Sequence, residues 1–174
     1  SGTVDGKTTA KNLRSDLNTI LTCFSPVSKD KHLLMPDDKT CIDILCALPG
    51  CPTIYYGDEA GMTGYKDPFN RGCYPWDNEN TELISWYQAL GKIRKENAAL
   101  YDGSFHPVSE AAGCIAYVRS TYGNRIMLIA NRNVHPITYY LPEDWHGARL
   151  LLGGTDIRYN EVDIPAYGAV ILAD

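Results

Sequence analysis

The stretch 48–76, LPGCPTIYYGDEAGMTGYKDPFNRGCYPW, holds the densest group of reactive side chains in the sequence. Asp58 and Glu59 are adjacent, and Asp67 and Arg71 stand four apart. Carboxylates accept hydrogen bonds at two oxygens, and a guanidinium donates through a rigid planar fork. The same residues have plainer uses. Asp67 and Arg71 could pair with each other to hold a loop, and Asp58 and Glu59 could cap the next turn or bridge to nearby loops. The chain also has twelve tyrosines and three tryptophans against three phenylalanines. Rings with a polar handle suit sugar faces and wet grooves, and equally suit half-buried strands.

The elements around this stretch must position it. Residues 37–48 read as a helix, with Asp37 or Asp38 in the first turn and Cys41, Ile44, Leu45 and Leu48 on one apolar face. Pro49-Gly50 stops it. CPTIYY, 51–56, is β-branched and aromatic, and its length and composition predict a buried strand ending at Gly57. A long loop follows, broken by Gly61, Gly64 and Pro68. Residues 80–97 form the clearest helix, with Leu83, Trp86, Leu90 and Ile93 in a stripe, Asn80 as cap, and Lys92, Arg94 and Lys95 in the last turn. A short helix is expected over 11–23, with Leu13, Leu17, Ile20 and Leu21 on one face.

After Gly103 the period turns from helical to alternating. CIAYVRS, NRIMLIANR, ITYYL, ARLLL and AVILA are short strand-like runs separated by Gly, Pro and Asn, which points to an antiparallel sandwich or barrel. The fold class is therefore α+β, with a boundary near 100. A helix, a tight turn, one apolar strand, a long loop and a second helix make one unit of a β/α repeat. In a (β/α)8 barrel, function sits in loops at the C-terminal strand ends.

With 174 residues, 44% of them hydrophobic and a net charge of −5, the chain suits one domain or two small ones with a real core. No basic tract favours nucleic acid. No apolar run is long enough to span a membrane, and no signal peptide is evident. None of the six cysteines has CxxC spacing, so they read as reduced core residues of a cytoplasmic protein with no metal site. His32, His106, His135 and His146 stand in unrelated contexts and read as structural or surface residues. Ser1-Gly2 resembles an expression remnant, and on that reading the native start lies upstream.

PTIYYGDE, DPFNR, Pro75-Trp76, Arg94-Lys95 with Ala99-Leu100, and the β-rich tail together resemble the end of an α-amylase family enzyme (glycoside hydrolase family 13). The likeness is greatest to the neopullulanase, cyclomaltodextrinase and pullulanase-like branch, and runs from about Pro36 to Asp174. It implies that residues 1–100 are the remnant of the last part of a (β/α)8 barrel and that 101–174 are a C-terminal antiparallel β-sandwich. It implies an α-glucan or maltooligosaccharide substrate, with Asp67 and Arg71 on sugar hydroxyls. Asp58 and Glu59 would stand at the catalytic end of the strand, with Tyr65, Tyr74 and Trp76 as stacking faces. No cofactor is implied.

Members of this family cleave with retention, using an aspartate nucleophile, a glutamate acid/base and a second aspartate. By the family's pattern the first two lie before residue 1, and no Asn-His-Asp motif stands between 17 and 38. A retaining pair needs carboxyl groups about 5 Å apart across the bond. The adjacent Asp58 and Glu59 diverge on an extended backbone and cannot replace it. Two readings follow: the C-terminal portion of an α-glucan-acting hydrolase, inactive by itself, or a non-catalytic module that binds carbohydrate or a partner through its sandwich. Either way, the apolar faces of 41–48 and 53–56 must bury against the sandwich or a second copy, so a homo-oligomer or domain swap is expected.

Overall fold

Among the described residues three α-helices precede eight strands. The computed structural model describes residues 38–62, 68, 71–108, 113–153 and 156–174, so the helix expected over 11–23 lies outside the described residues. Helix α1 is Asp38–Ala47, and Gly50 follows it at φ +107°. Helix α2 is Thr81–Glu96, capped by the Asn80 side chain, which accepts from the Leu83 N–H at 3.0 Å. A break at Asn97 starts a one-turn helix, α3, Ala98–Asp102.

The strands are β1 Ser104–Pro107, β2 Cys114–Thr121, β3 Asn124–Asn131, β4 Ile137–Tyr140, β5 Arg149–Gly153, β6 Ile157–Arg158, β7 Glu161–Ile164 and β8 Ala169–Ala173. All pair antiparallel, in a five-stranded sheet of order β1-β2-β3-β8-β5 and a three-stranded sheet of order β4-β7-β6. The class is α+β, as the change of period predicts. Tyr122-Gly123 closes the β2–β3 hairpin, with Gly123 at φ +72°, where a two-residue turn needs a left-handed residue.

Burial alternates between two cores. Ile115, Tyr117, Ile126, Leu128 and Ile171 face the helices, where Ile42, Ile44, Leu48, Leu90 and Leu100 meet them. Val118, Met127, Ile129, Val170 and Leu172 face the small sheet, where Tyr139, Leu141, Trp145, Val162 and Ile164 meet them. Helices, large sheet and small sheet thus form three layers, and the middle layer is covered on both faces. That is why β2, β3 and β8 read as near-continuous apolar runs.

Helix α1 is locked in place from both sides. The Tyr117 hydroxyl donates to the Ile44 carbonyl at 3.0 Å, the Trp86 indole N–H donates to Asp43 at 2.8 Å, and Lys39 pairs with Glu82. A helix held between α2 and the sheet buries more than one stripe. Ile42, Ile44, Cys46, Ala47 and Leu48 are buried, whereas Leu45, assigned from spacing to the apolar face, is 39% exposed.

The strand predicted at 51–56 is absent. Ile54, Tyr55 and Tyr56 are 45–48% exposed in irregular backbone. A strand is completed by a neighbour's N–H and C=O groups. Among the described residues no strand pairs with this segment, and Tyr55 instead bonds back to Asp58. Of the apolar face expected on α1, Ile44 and Leu48 bury against the sheet and Leu45 does not, and residues 53–56 stand exposed within a single copy of the chain.

Candidate functional site

The chain leaves α1 at Gly50, runs exposed to Tyr56, and folds into a tight turn over 57–61. Gly57 has φ +88°, and a Cβ there would lie 2.2 Å from Met62 Sδ, so only glycine fits. The Met62 N–H returns to the Gly57 carbonyl at 2.9 Å. The Asn80 N–H donates to the Ala60 carbonyl at 3.0 Å, tying the turn to the start of α2.

Asp58 and Glu59 serve this turn. Asp58 Oδ2 accepts from the Tyr55 N–H at 3.1 Å, and Glu59 Oε2 accepts from the Gly57 N–H at 3.0 Å. The two carboxylates point back along the chain toward different N–H groups and not across a shared gap. Asp58 is exposed and Glu59 half-buried. This is the plainer of the two uses open from sequence, and it leaves Asp58 accessible from solvent.

Aromatic rings surround the turn. Tyr55 and Tyr56 stand 4.7 Å apart between centroids, and Tyr74 and Trp76 stand 4.6 Å apart. The Tyr56 hydroxyl donates to the Gly72 carbonyl at 3.0 Å, which ties the two limbs of the loop together. Desolvation, followed by the neighbouring Tyr55, pushes the Tyr56 hydroxyl above its ordinary pKa. Desolvation and then Glu59 and Glu79 do the same for Tyr74, so both hydroxyls remain donors at neutral pH. Trp76 is 76% exposed and presents a broad ring edge and face to solvent.

Of the residues singled out by sequence, Asp58, Glu59, Arg71, Tyr74 and Trp76 are described. Asp67 and Tyr65 lie outside the described residues, and so does any pairing of Asp67 with Arg71. Arg71 is exposed, and its N–H donates to the Pro68 carbonyl at 3.1 Å. Sequence reasoning passed over Tyr55 and Tyr56, which were assigned to a buried strand, and over Arg119, which lies buried against the ends of α1 and α3. Strand alternation carries the missed signal for Arg119, since it falls in line with Ile115 and Tyr117 on the helix-facing side. Chemically the arrangement offers stacking rings, two carboxylates and a guanidinium, which is equipment for binding. Among the described residues no three His, Cys, Asp or Glu groups could hold a metal ion, and no helix is long and apolar enough to cross a membrane.

No family model matches the chain. It is similar to a maltogenic alpha-amylase of Bacillus acidopullulyticus, 36% identical over 107 residues that cover 58% of this chain and 18% of that protein. An amylopullulanase of Thermoanaerobacter thermohydrosulfuricus is 36% identical over 112 residues, 60% of this chain and 8% of the relative. A cyclomaltodextrinase of Geobacillus thermopakistaniensis is 34% identical over 134 residues, 71% of this chain and 23% of the relative. The chain thus matches less than a quarter of the length of each of these relatives. Among solved structures, an Anoxybacillus alpha-amylase superposes with a TM-score of 0.68 at 26% identity, covering 78% of this chain and 31% of its own. A debranching enzyme of Nostoc punctiforme superposes with a TM-score of 0.70 at 24% identity, covering 79% and 30%, a likeness of fold.

Proposed function

We propose that this chain, whose C-terminal part is homologous to α-amylase family enzymes of the neopullulanase-like branch, is the C-terminal portion of an α-glucan-acting glycoside hydrolase. The observation that carries the reading is that homology. A maltogenic amylase, an amylopullulanase and a cyclomaltodextrinase, all enzymes of α-glucan breakdown, align with the same end of the chain. On this reading residues 1–100 are the end of a (β/α)8 barrel, and 101–174 are the sandwich that closes it. The exposed run 53–56 is then a barrel strand whose neighbours belong to an upstream portion. The reacting carboxylates belong to that portion too, and Asp58, Glu59, Asp67, Arg71, Tyr65 and Trp76 contribute to sugar binding.

Maltoheptaose titration, followed by the emission of Trp76, tests the reading. Saturable quenching is expected, lost in Trp76→Ala and weakened in Arg71→Ala, with no reducing ends released from maltoheptaose or pullulan. Turnover above background would refute the absence of the catalytic set, and unchanged emission in the full chain would refute sugar binding at this loop. A second reading, in which the small sheet binds glucan, has one observation in its favour. Tyr140 and Tyr159 are 71% and 72% exposed at one end of that sheet. It predicts that Tyr140→Ala abolishes binding while Trp76→Ala spares it.

A further inference from the structure

Helices leave their last four carbonyls without intrahelical donors, and these carry the negative end of the dipole. In this fold two arginines serve the orphan carbonyls of two helices at once. Arg94, near the end of α2, donates to the Cys46 carbonyl at 2.6 Å and to the Gly50 carbonyl. Arg119, on β2 and 2% exposed, donates to the carbonyls of Ala47 at 3.0 Å, Leu100 at 3.1 Å, Gly103 at 2.9 Å and Ser104 at 3.3 Å. The two cations are close enough to repel, and desolvation first, then Arg94, lowers the Arg119 pKa. A half-buried and a buried like charge are tolerable here because Arg94 faces the negative end of α1 and Arg119 faces those of α1 and α3.

The carbonyls chosen matter. Gly50 is the point at which the chain turns away from α1, at φ +107°, and from there to Tyr56 no strand pairs with it among the described residues. Its next attachment to a helix is the Ala60 carbonyl, which accepts from the Asn80 N–H. Both attachments are to α2, one near each end. Residues 57–61 are coiled into the turn that the Ala60 and Met62 N–H groups close on the Gly57 carbonyl, so only the short strap 51–56 spans the gap between the two attachments. Where it starts therefore decides where its side chains lie.

We propose that Arg94, backed by Arg119, is a positioning residue for the candidate glucan site. It fixes the point where the strap leaves α1 and thereby places Tyr55, Tyr56, Asp58 and Glu59. The name given to the site rests on the function proposed above, whereas the clamp itself rests on the carbonyl contacts. It also makes the large sheet part of the site's support, since Arg119 transmits the position of β2 to the end of α1.

Hydrogen exchange of the full 174-residue chain, resolved by peptide, provides the test. Arg94→Met keeps the apolar stem and removes the fork. Exchange across 51–62, where the N–H groups of Asp58, Ala60 and Met62 are bonded, is expected to accelerate about tenfold while β2 and β3 stay within about twofold. Arg94→Lys, whose compact ammonium lacks the planar two-pronged geometry, is expected to restore part of the protection. Maltoheptaose affinity is expected to fall severalfold in Arg94→Met and to recover partly in Arg94→Lys. Uniform acceleration over the whole chain, or none at 51–62, would overturn the proposal. Local acceleration in a chain whose unsubstituted form ignores maltoheptaose would keep the clamp and remove the glucan reading.

Discussion

Replacing Arg119 by methionine removes a side chain that bonds four carbonyls and leaves a stem of similar length. Two of those carbonyls, Ala47 and Leu100, take their bonds in fully buried surroundings, while Gly103 and Ser104 lie near enough to the surface for water to replace the guanidinium. An acceptor left buried without a donor costs about 1–3 kcal/mol. Two such groups give about 2–6 kcal/mol, from which the relief of no longer burying a cation must be subtracted. A net loss of about 3 kcal/mol is expected, a large share of the roughly 5–15 kcal/mol that holds a domain together. Arg119→Lys should lose less, because an ammonium can still donate to the carbonyls within its reach. Urea unfolding followed by far-UV circular dichroism reads both, provided the slope of the transition is unchanged. A loss below about 1 kcal/mol for Arg119→Met would show that water enters behind β2 and that the carbonyls were never dependent on the arginine.

Two further outcomes follow from packing and from ionisation. Gly153 sits at φ +77°, where a Cβ would lie 2.0 Å from the Ala169 carbonyl oxygen, so Gly153→Ala should cost about 2–4 kcal/mol and lower the thermal midpoint by several degrees; an unchanged midpoint would refute the register of β5 on β8. Cys51 and Cys73 are exposed and should take iodoacetamide in the native state, whereas Cys46 and Cys114, buried and with thiols pushed up to about 11, should label only after unfolding. Because the folded thiols hold their protons above the ordinary 9.0, the unfolded chain ionises first, so stability is full below that value and falls as pH rises from 9.0 toward 11. A urea midpoint that stays constant across this window would count against both assignments.

The helices and the longest strands were legible because their signals are local. Asn80, the stripe Leu83, Trp86, Leu90 and Ile93, and the basic last turn mark α2 without help from the rest of the chain. The runs in β2, β3 and β8 announce strands buried on two faces. Three strands were missed. β1 carries a proline, β6 has two residues, and β7 alternates acidic with apolar residues over four positions, so each exists because a neighbouring strand offers it a ladder. The reverse error fell at 53–56, where composition says strand and no partner completes it. The turn-capping use of Asp58 and Glu59 was open from spacing alone, whereas the choice between capping and contact needed the positions of the Tyr55 and Gly57 N–H groups. Arg119 was overlooked because a charged residue in a strand is ordinarily read as facing water.

The place of β8 has a consequence for how the molecule is made. It comes after every other described strand, yet it lies between β3 and β5 and feeds both cores. A ribosome that has delivered β5 has made a strand with nothing to zip onto in the large sheet. Until 169–173 emerge, β3 shows a bare edge and two greasy faces, the kind of nascent surface that chaperones attend. A premature stop codon ahead of Ala169 would not trim an end but would open the middle of the large sheet. Until β8 has been made, β5 cannot join the large sheet.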